Sequence, residues 1–106
     1  MLRWFRAGLI LLSLCVATAA LASSITISQK DRKFTPGELH VAAGTTLHII
    51  NDDKVTHHIY VDSPTMKFDS GEQPVGTSVD LVFNTKGSFT VLCAIHPTMH
   101  LKVTVQ

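Results

Sequence analysis

Three side chains able to bind a metal stand three residues apart in the segment CAIHPTMH, residues 93–100 of this 106-residue chain. Cys93 offers a thiolate, His96 an imidazole and Met99 a thioether. A thioether is a poor zinc ligand, whereas soft sulfur donors suit copper. The spacing therefore favours a copper site. The alternative is a buried, inert thiol beside a methionine that only fills the core.

This triplet needs a fourth ligand from elsewhere in the chain, because so short a loop cannot surround a metal. Two imidazoles and one thiolate in a plane, with a long axial methionine, make up a blue-copper electron-transfer site. His57 and His58 lie in NDDKVTHHIYV, residues 51–61, at the start of the run HHIYV, which is predicted to be a strand. The residue types alone leave both histidines open as the second imidazole.

Together these segments resemble the cupredoxins, the plastocyanin-like type 1 copper proteins. The family has an Asn, five intervening residues and then the upstream His ligand, which corresponds to Asn51 and His57 and so selects His57 over His58. The downstream pattern Cys-x-x-His-x-x-Met has the loop length of amicyanins, with Pro97 after the His as in that group. The resemblance implies one type 1 copper ion held by His57, Cys93, His96 and Met99.

The likeness extends to FTPGELHVAAGTTLHIIN, residues 34–51, whose P-x-x-L-x-V-x-x-G rhythm precedes the upstream His in the family. It therefore spans nearly all of residues 25–106. Two positions depart from the family pattern. His58 stands where an Asn usually ties the two ligand loops together, and Leu101 stands where Gly is common. Neither change removes a donor atom, so we expect both to tune the site.

The amino terminus has the features of a signal peptide over residues 1–22. A basic start, an apolar run and the small-x-small triplet Ala20–Leu21–Ala22 precede Ser23. A lipoprotein anchor at Cys15 is disfavoured, because Leu14 stands where a small residue is expected. An uncleaved membrane anchor is the less favoured alternative to cleavage. We therefore expect export to the periplasm, no stable membrane insertion after processing, and one monomeric domain over residues 23–106.

The charge and the cysteine content of the mature chain argue against nucleic-acid binding and against an internal disulfide. Without Arg3 and Arg6 the mature chain is near neutral, and no basic cluster or aromatic stripe suggests nucleic-acid binding. Cys93 is the one cysteine left after processing, so an internal disulfide is excluded. Asp52, Asp53 and Lys54 are predicted to form a solvated turn, and His40, His48 and His100 are predicted to lie on the surface.

Short runs of alternating apolar residues predict about seven strands and no helix in the mature chain. Cys93 shares an alternating run with Phe89 and Val91, so its sulfur should point into the core. The segment 62–76, rich in Pro and Gly, is predicted to be a loop or irregular edge. The whole pattern predicts an all-β, two-sheet Greek-key sandwich of the cupredoxin type, with mostly antiparallel strands and both ligand loops at one end.

The function expected from the residues and the resemblance is one-electron transport by Cu(I)/Cu(II) cycling. An enzymatic multicopper oxidase or nitrite reductase domain is disfavoured, because Leu92 and Ala94 flank Cys93 where those proteins place relay histidines. A periplasmic copper carrier or store is the main alternative. By resemblance to amicyanins, the redox partners would be a dehydrogenase and a c-type cytochrome.

Overall fold

Nine β-strands and no helix form the part of the chain that this computed structural model describes, residues 8–13 and 23–106. Within those residues no helix is long and apolar enough to cross a membrane. The strands are β1 Ser24–Lys30, β2 Lys33–Thr35, β3 Glu38–Val41, β4 Thr45–Asn51, β5 Ile59–Asp62, β6 Lys67–Asp69, β7 Ser78–Phe83, β8 Gly87–Cys93 and β9 His100–Val105.

The strands form two sheets, in the orders β2-β1-β4-β7 and β3-β9-β8-β5-β6. Pairing is antiparallel except between β1 and β4 and between β3 and β9. The predicted two-sheet sandwich is confirmed, and two three-residue strands, β2 and β6, add to it. Residues 62–76, predicted to be a loop or an irregular edge, contain the short edge strand Lys67–Asp69, which pairs with β5.

Alternating side chains build the core between the sheets. In β4 every second residue is buried, and β8 buries Phe89, Val91 and Cys93 on one face. Successive side chains of a strand point to opposite faces, so one apolar set faces the other sheet. Cys93 is 2% exposed and faces inward, as its alternation with Phe89 and Val91 predicts.

The segments that carry the candidate ligands lie together at one end of the sandwich. Antiparallel pairing of β5 with β8 sets Ile59 opposite Cys93. Just beyond this pair, the amide of Ala94 donates to the carbonyl of His58 at 2.8 Å. The loop before β5 and the loop after β8 therefore meet, as the sequence predicts.

The predicted signal peptide, residues 1–22, lies outside the described residues except for 8–13. It remains a prediction, as does the domain boundary at Ser23.

Candidate metal centre

His57 is completely buried at the end of the sandwich. It lies outside β5, although the run HHIYV predicted a strand from its first histidine. Its backbone forms an isolated bridge with Gln73, in which each amide donates to the other residue's carbonyl, at 3.1 and 2.7 Å. This bridge fixes the main chain on which the imidazole is mounted.

Cys93 and His57 are neighbours in space although 36 positions separate them. Cys93 Sγ lies 3.7 Å from His57 Nδ1. Sulfur and nitrogen ligands of one tetrahedral or trigonal metal, with bonds of about 2.3 and 2.0–2.1 Å, lie about 3.6–3.8 Å apart. The two donor atoms are thus spaced as two ligands of one metal are spaced.

His96 contributes the second imidazole at this end. Its ring packs edge-on against His57, with centroids 5.0 Å apart and planes at 67°. Its Nε2 is buried without a hydrogen-bond partner among the described residues. A buried nitrogen without a partner costs free energy. A bond to a metal would satisfy His96 Nε2 in place of the missing hydrogen bond.

Met99 is 1% exposed, and it closes the loop that follows β8. Its amide donates to the carbonyl of His96 at 3.0 Å, which forms a tight turn with Pro97 and Thr98 exposed at the tip. No three His, Cys, Asp or Glu side chains of the described residues are already arranged around one metal position. The structure therefore shows His57 next to both Cys93 and His96, but no closed coordination sphere.

His58 contacts the site through its backbone. Its amide donates to Cys93 Sγ at 3.4 Å, while its ring Nε2 lies 2.5 Å from Asp69 Oδ1 in β6. The side chain thus ties β6 to this end, and the two ligand loops are joined by the bond from Ala94 to the His58 carbonyl. Where the family places an Asn, this chain uses a backbone link and a different side-chain contact.

The prediction of a solvated turn at residues 52–54 holds for the exposed Asp52 and Lys54 but is wrong for Asp53. Asp53 is only 9% exposed, and its Oδ2 lies 3.0 Å from His57 Nε2. The amide of Arg32 donates to Oδ2 and the amide of Lys54 to Oδ1, both at 2.8 Å. Burial raises the pKa of Asp53, but the two backbone amides and His57 outweigh it and lower the pKa to about 2.

Asn51 explains why Asp53 turns inward. The amide of Asp53 donates to Asn51 Oδ1 at 3.0 Å, which is an Asx-turn. Asn51 Nδ2 in turn donates to the carbonyls of Val55 at 2.9 Å and Gln73 at 3.0 Å. The buried Asn51 side chain thereby holds the whole loop that leads to His57.

Sequence reasoning missed Asp53 and Gln73. The acid four residues before His57, next to an Asn able to form a turn, is a signal that could have identified Asp53. Nothing local marks Gln73, whose buried side chain accepts from Gln29 Nε2 at 2.8 Å and donates to the Ile49 carbonyl at 3.0 Å.

The other histidines lie away from this cluster. His40 and His100 are exposed, and His48, half-buried, has Nδ1 2.6 Å from Asp80 Oδ1 on the neighbouring strand β7. Their predicted surface positions are confirmed. Leu101, where the family commonly has Gly, is fully buried in the core.

Comparison with known proteins agrees with this fold. The family model described as "Cupredoxin-like domain" matches residues 5–105, and the chain belongs to this family. A comparison with curated protein sequences gives no significant match.

Solved structures of cupredoxins are similar to the chain over most of its length. A purple cupredoxin from Nitrosopumilus maritimus is 27% identical, with a TM-score of 0.68, over 76% of this chain and 98% of that one. Two amicyanin mutants, one reduced and one in the Cu(I) form, are each 25% identical with a TM-score of 0.72, over 85% of this chain and 88% of theirs.

Proposed function

We propose that this protein is a type 1 copper protein that carries single electrons between redox partners, with His57, Cys93, His96 and Met99 as the copper ligands. The single observation that carries the proposal is the 3.7 Å separation of Cys93 Sγ and His57 Nδ1. The buried, unpartnered Nε2 of His96 beside the His57 ring supports it. The Cu(I) form of the amicyanin mutant, which has the same fold, adds to this support.

The chemistry of the donors fits copper better than other metals. Thiolate and thioether sulfur together with imidazole nitrogen are soft to borderline ligands, which suit copper. Bound copper would supply one-electron chemistry through its Cu(I) and Cu(II) states.

The protein's own contribution is rigidity and the exclusion of water. Cys93 terminates a paired strand, and the His57 backbone is bonded on both sides to Gln73. Cys93, His57 and Met99 are each no more than 2% exposed. Ligands held so firmly move little when the metal changes oxidation state, which keeps the barrier to electron transfer low.

The loop after β8 offers a surface through which an electron can pass. Ala94, Ile95, Pro97 and Thr98 are exposed around the partly exposed His96. We propose that redox partner proteins dock on this loop, after export of the protein to the periplasm by its signal peptide. Leu92 and Ala94, which flank Cys93, cannot relay electrons to a second copper centre, so we propose no enzymatic activity.

The test is reconstitution of the purified, metal-free protein with Cu(II). We expect an intense visible band at one equivalent that bleaches on reduction and returns on oxidation. A colourless protein that retains only Cu(I) would instead favour the alternative function, a copper carrier or store. A protein that binds neither oxidation state would overturn both.

A further inference from the structure

The Asp53 carboxylate joins three separate parts of the copper end of the sandwich. Oδ2 accepts from the amide of Arg32, in the turn between β1 and β2, and lies 3.0 Å from His57 Nε2. Oδ1 accepts from the amide of Lys54. Both Asp53 and His57 are buried, so this contact is shielded from water.

The contact with Asp53 sets the direction of the hydrogen bond at His57 Nε2. A carboxylate only accepts hydrogen bonds, so Nε2 must carry the proton that it donates to Asp53. In the neutral ring the other nitrogen, Nδ1, then keeps its lone pair, and it is the nitrogen that lies 3.7 Å from Cys93 Sγ. Asp53 thus presents the nitrogen nearest the sulfur as a donor for a metal.

The Asp53 charge is also uncompensated by nearby cations. Within residues 8–13 and 23–106, its one ion-pair contact is with His57, and no Lys or Arg side chain pairs with it. Arg32 and Lys54 approach it with backbone amides, while their side chains remain exposed. Backbone dipoles stabilise the carboxylate but leave its net charge in place.

We propose that Asp53 is a positioning residue that holds His57 with Nδ1 toward Cys93, and that its buried negative charge favours Cu(II) over Cu(I). This inference rests on the proposed copper function. A negative charge one imidazole away from the metal stabilises the dication more than the monocation. Outer carboxylate partners of ligating histidines also fix the ring and raise its basicity.

Two variants separate the two parts of the proposal. Asp53→Asn removes the charge but keeps an oxygen that can accept from His57 Nε2, whereas Asp53→Ala removes both. The matched control is Asp52→Asn, which removes the neighbouring charge from an exposed carboxylate that accepts only from the Ser28 hydroxyl.

The first measurement uses the metal-free protein. Nitrogen chemical shifts of the histidine rings report which nitrogen of His57 is protonated. We expect the Nε2–H form in the wild type, Asp52→Asn and Asp53→Asn, and a mixture with the Nδ1–H form in Asp53→Ala. An unchanged pure Nε2–H form in Asp53→Ala would overturn the positioning role.

The second measurement uses the copper protein. For Asp53→Asn we expect the ratio of Cu(II) to Cu(I) affinity to fall by about tenfold or more, the scale on which loss of a ligand's hydrogen-bond partner acts. The reduction potential should rise accordingly, while Asp52→Asn stays close to the wild type. Equal ratios in Asp53→Asn and Asp52→Asn would overturn the electrostatic role. Failure of the wild type to form a blue site would contradict the proposed function, and the ring measurement would still test positioning.

Discussion

The main-chain amide of His58 points at the sulfur of Cys93, with nitrogen and sulfur 3.4 Å apart. This contact follows from the register of β5 against β8, in which Ile59 opposes Cys93. Hydrogen bonding around the cysteine sulfur tunes the potential of blue-copper sites. Because the donor is a backbone group, it does not depend on the side chain at position 58.

Replacement of Cys93 by Ser should abolish the visible band of the copper protein, because the band requires a copper–thiolate bond. The variant should remain folded, with a loss of about 1–3 kcal/mol where the buried hydroxyl lacks a full partner. Absorption spectra after Cu(II) addition and circular dichroism of the metal-free form check both statements. A Cys93→Ser protein that stays blue would show that the thiolate is misassigned.

Replacement of His57 and of His58 by Gly should have opposite outcomes. His57→Gly removes the imidazole 3.7 Å from Cys93 Sγ and should eliminate the blue site. His58→Gly keeps the backbone amide that reaches the sulfur and should stay blue, with a loosened contact to β6. Copper titrations of the two variants side by side decide the question. A blue His57→Gly and a colourless His58→Gly would reverse our assignment.

Met99→Gln should retain copper and lower its reduction potential, because the axial ligand sets the potential of such sites. A harder amide oxygen in place of the thioether favours Cu(II). Met66→Gln is a suitable control, since Met66 is a partly buried methionine that packs against the core from the segment before β6. Voltammetry of both variants should show a shift for Met99→Gln alone. No shift there would argue against axial ligation.

The stability of the metal-free protein should fall in acid through Asp53. Its pKa is lowered from 3.8 to about 2 in the folded state. The unfolded chain therefore binds a proton more readily, and the stabilisation present above about pH 4 is lost as the pH falls toward 2. Urea unfolding at several pH values should show a shallower acid dependence in Asp53→Asn than in Asp52→Asn. Identical slopes would mean that Asp53 does not contribute.

Leu101→Ala should destabilise the protein by about 2–5 kcal/mol, the usual cost of a cavity at a buried leucine. Leu101 is fully buried in β9, so the departure from the family's common Gly supplies core volume at this position. Val82→Ala, at a solvent-exposed position of β7, serves as a control, with an expected loss below about 1 kcal/mol. Thermal or urea unfolding measures both. Similar losses at the two positions would contradict the core role of Leu101.

Alternation of apolar residues was sufficient to predict the long strands and the inward direction of Cys93. It could not reveal β2 and β6, because three residues do not establish a period. The sequence pattern also did not predict the burial of Asp53, whose position depends on the Asn51 side chain and on the amide of Arg32, 21 residues away. A charged residue between polar neighbours is predicted to be exposed to solvent unless those distant partners are known.

The amino-acid pattern alone specifies which metal donors are available: a thiolate, an imidazole and a thioether at fixed spacing, next to strands whose two-residue period follows from the backbone. The contacts of the folded chain are needed to show that Cys93 and His57 meet, that Asp53 is buried against His57, and that Gln73 bonds the His57 backbone. These contacts depend on strand register and loop closure between residues remote in the chain. The pattern of apolar side chains constrains each strand locally. The distances between the candidate ligands arise only when the strands pair and the loops close.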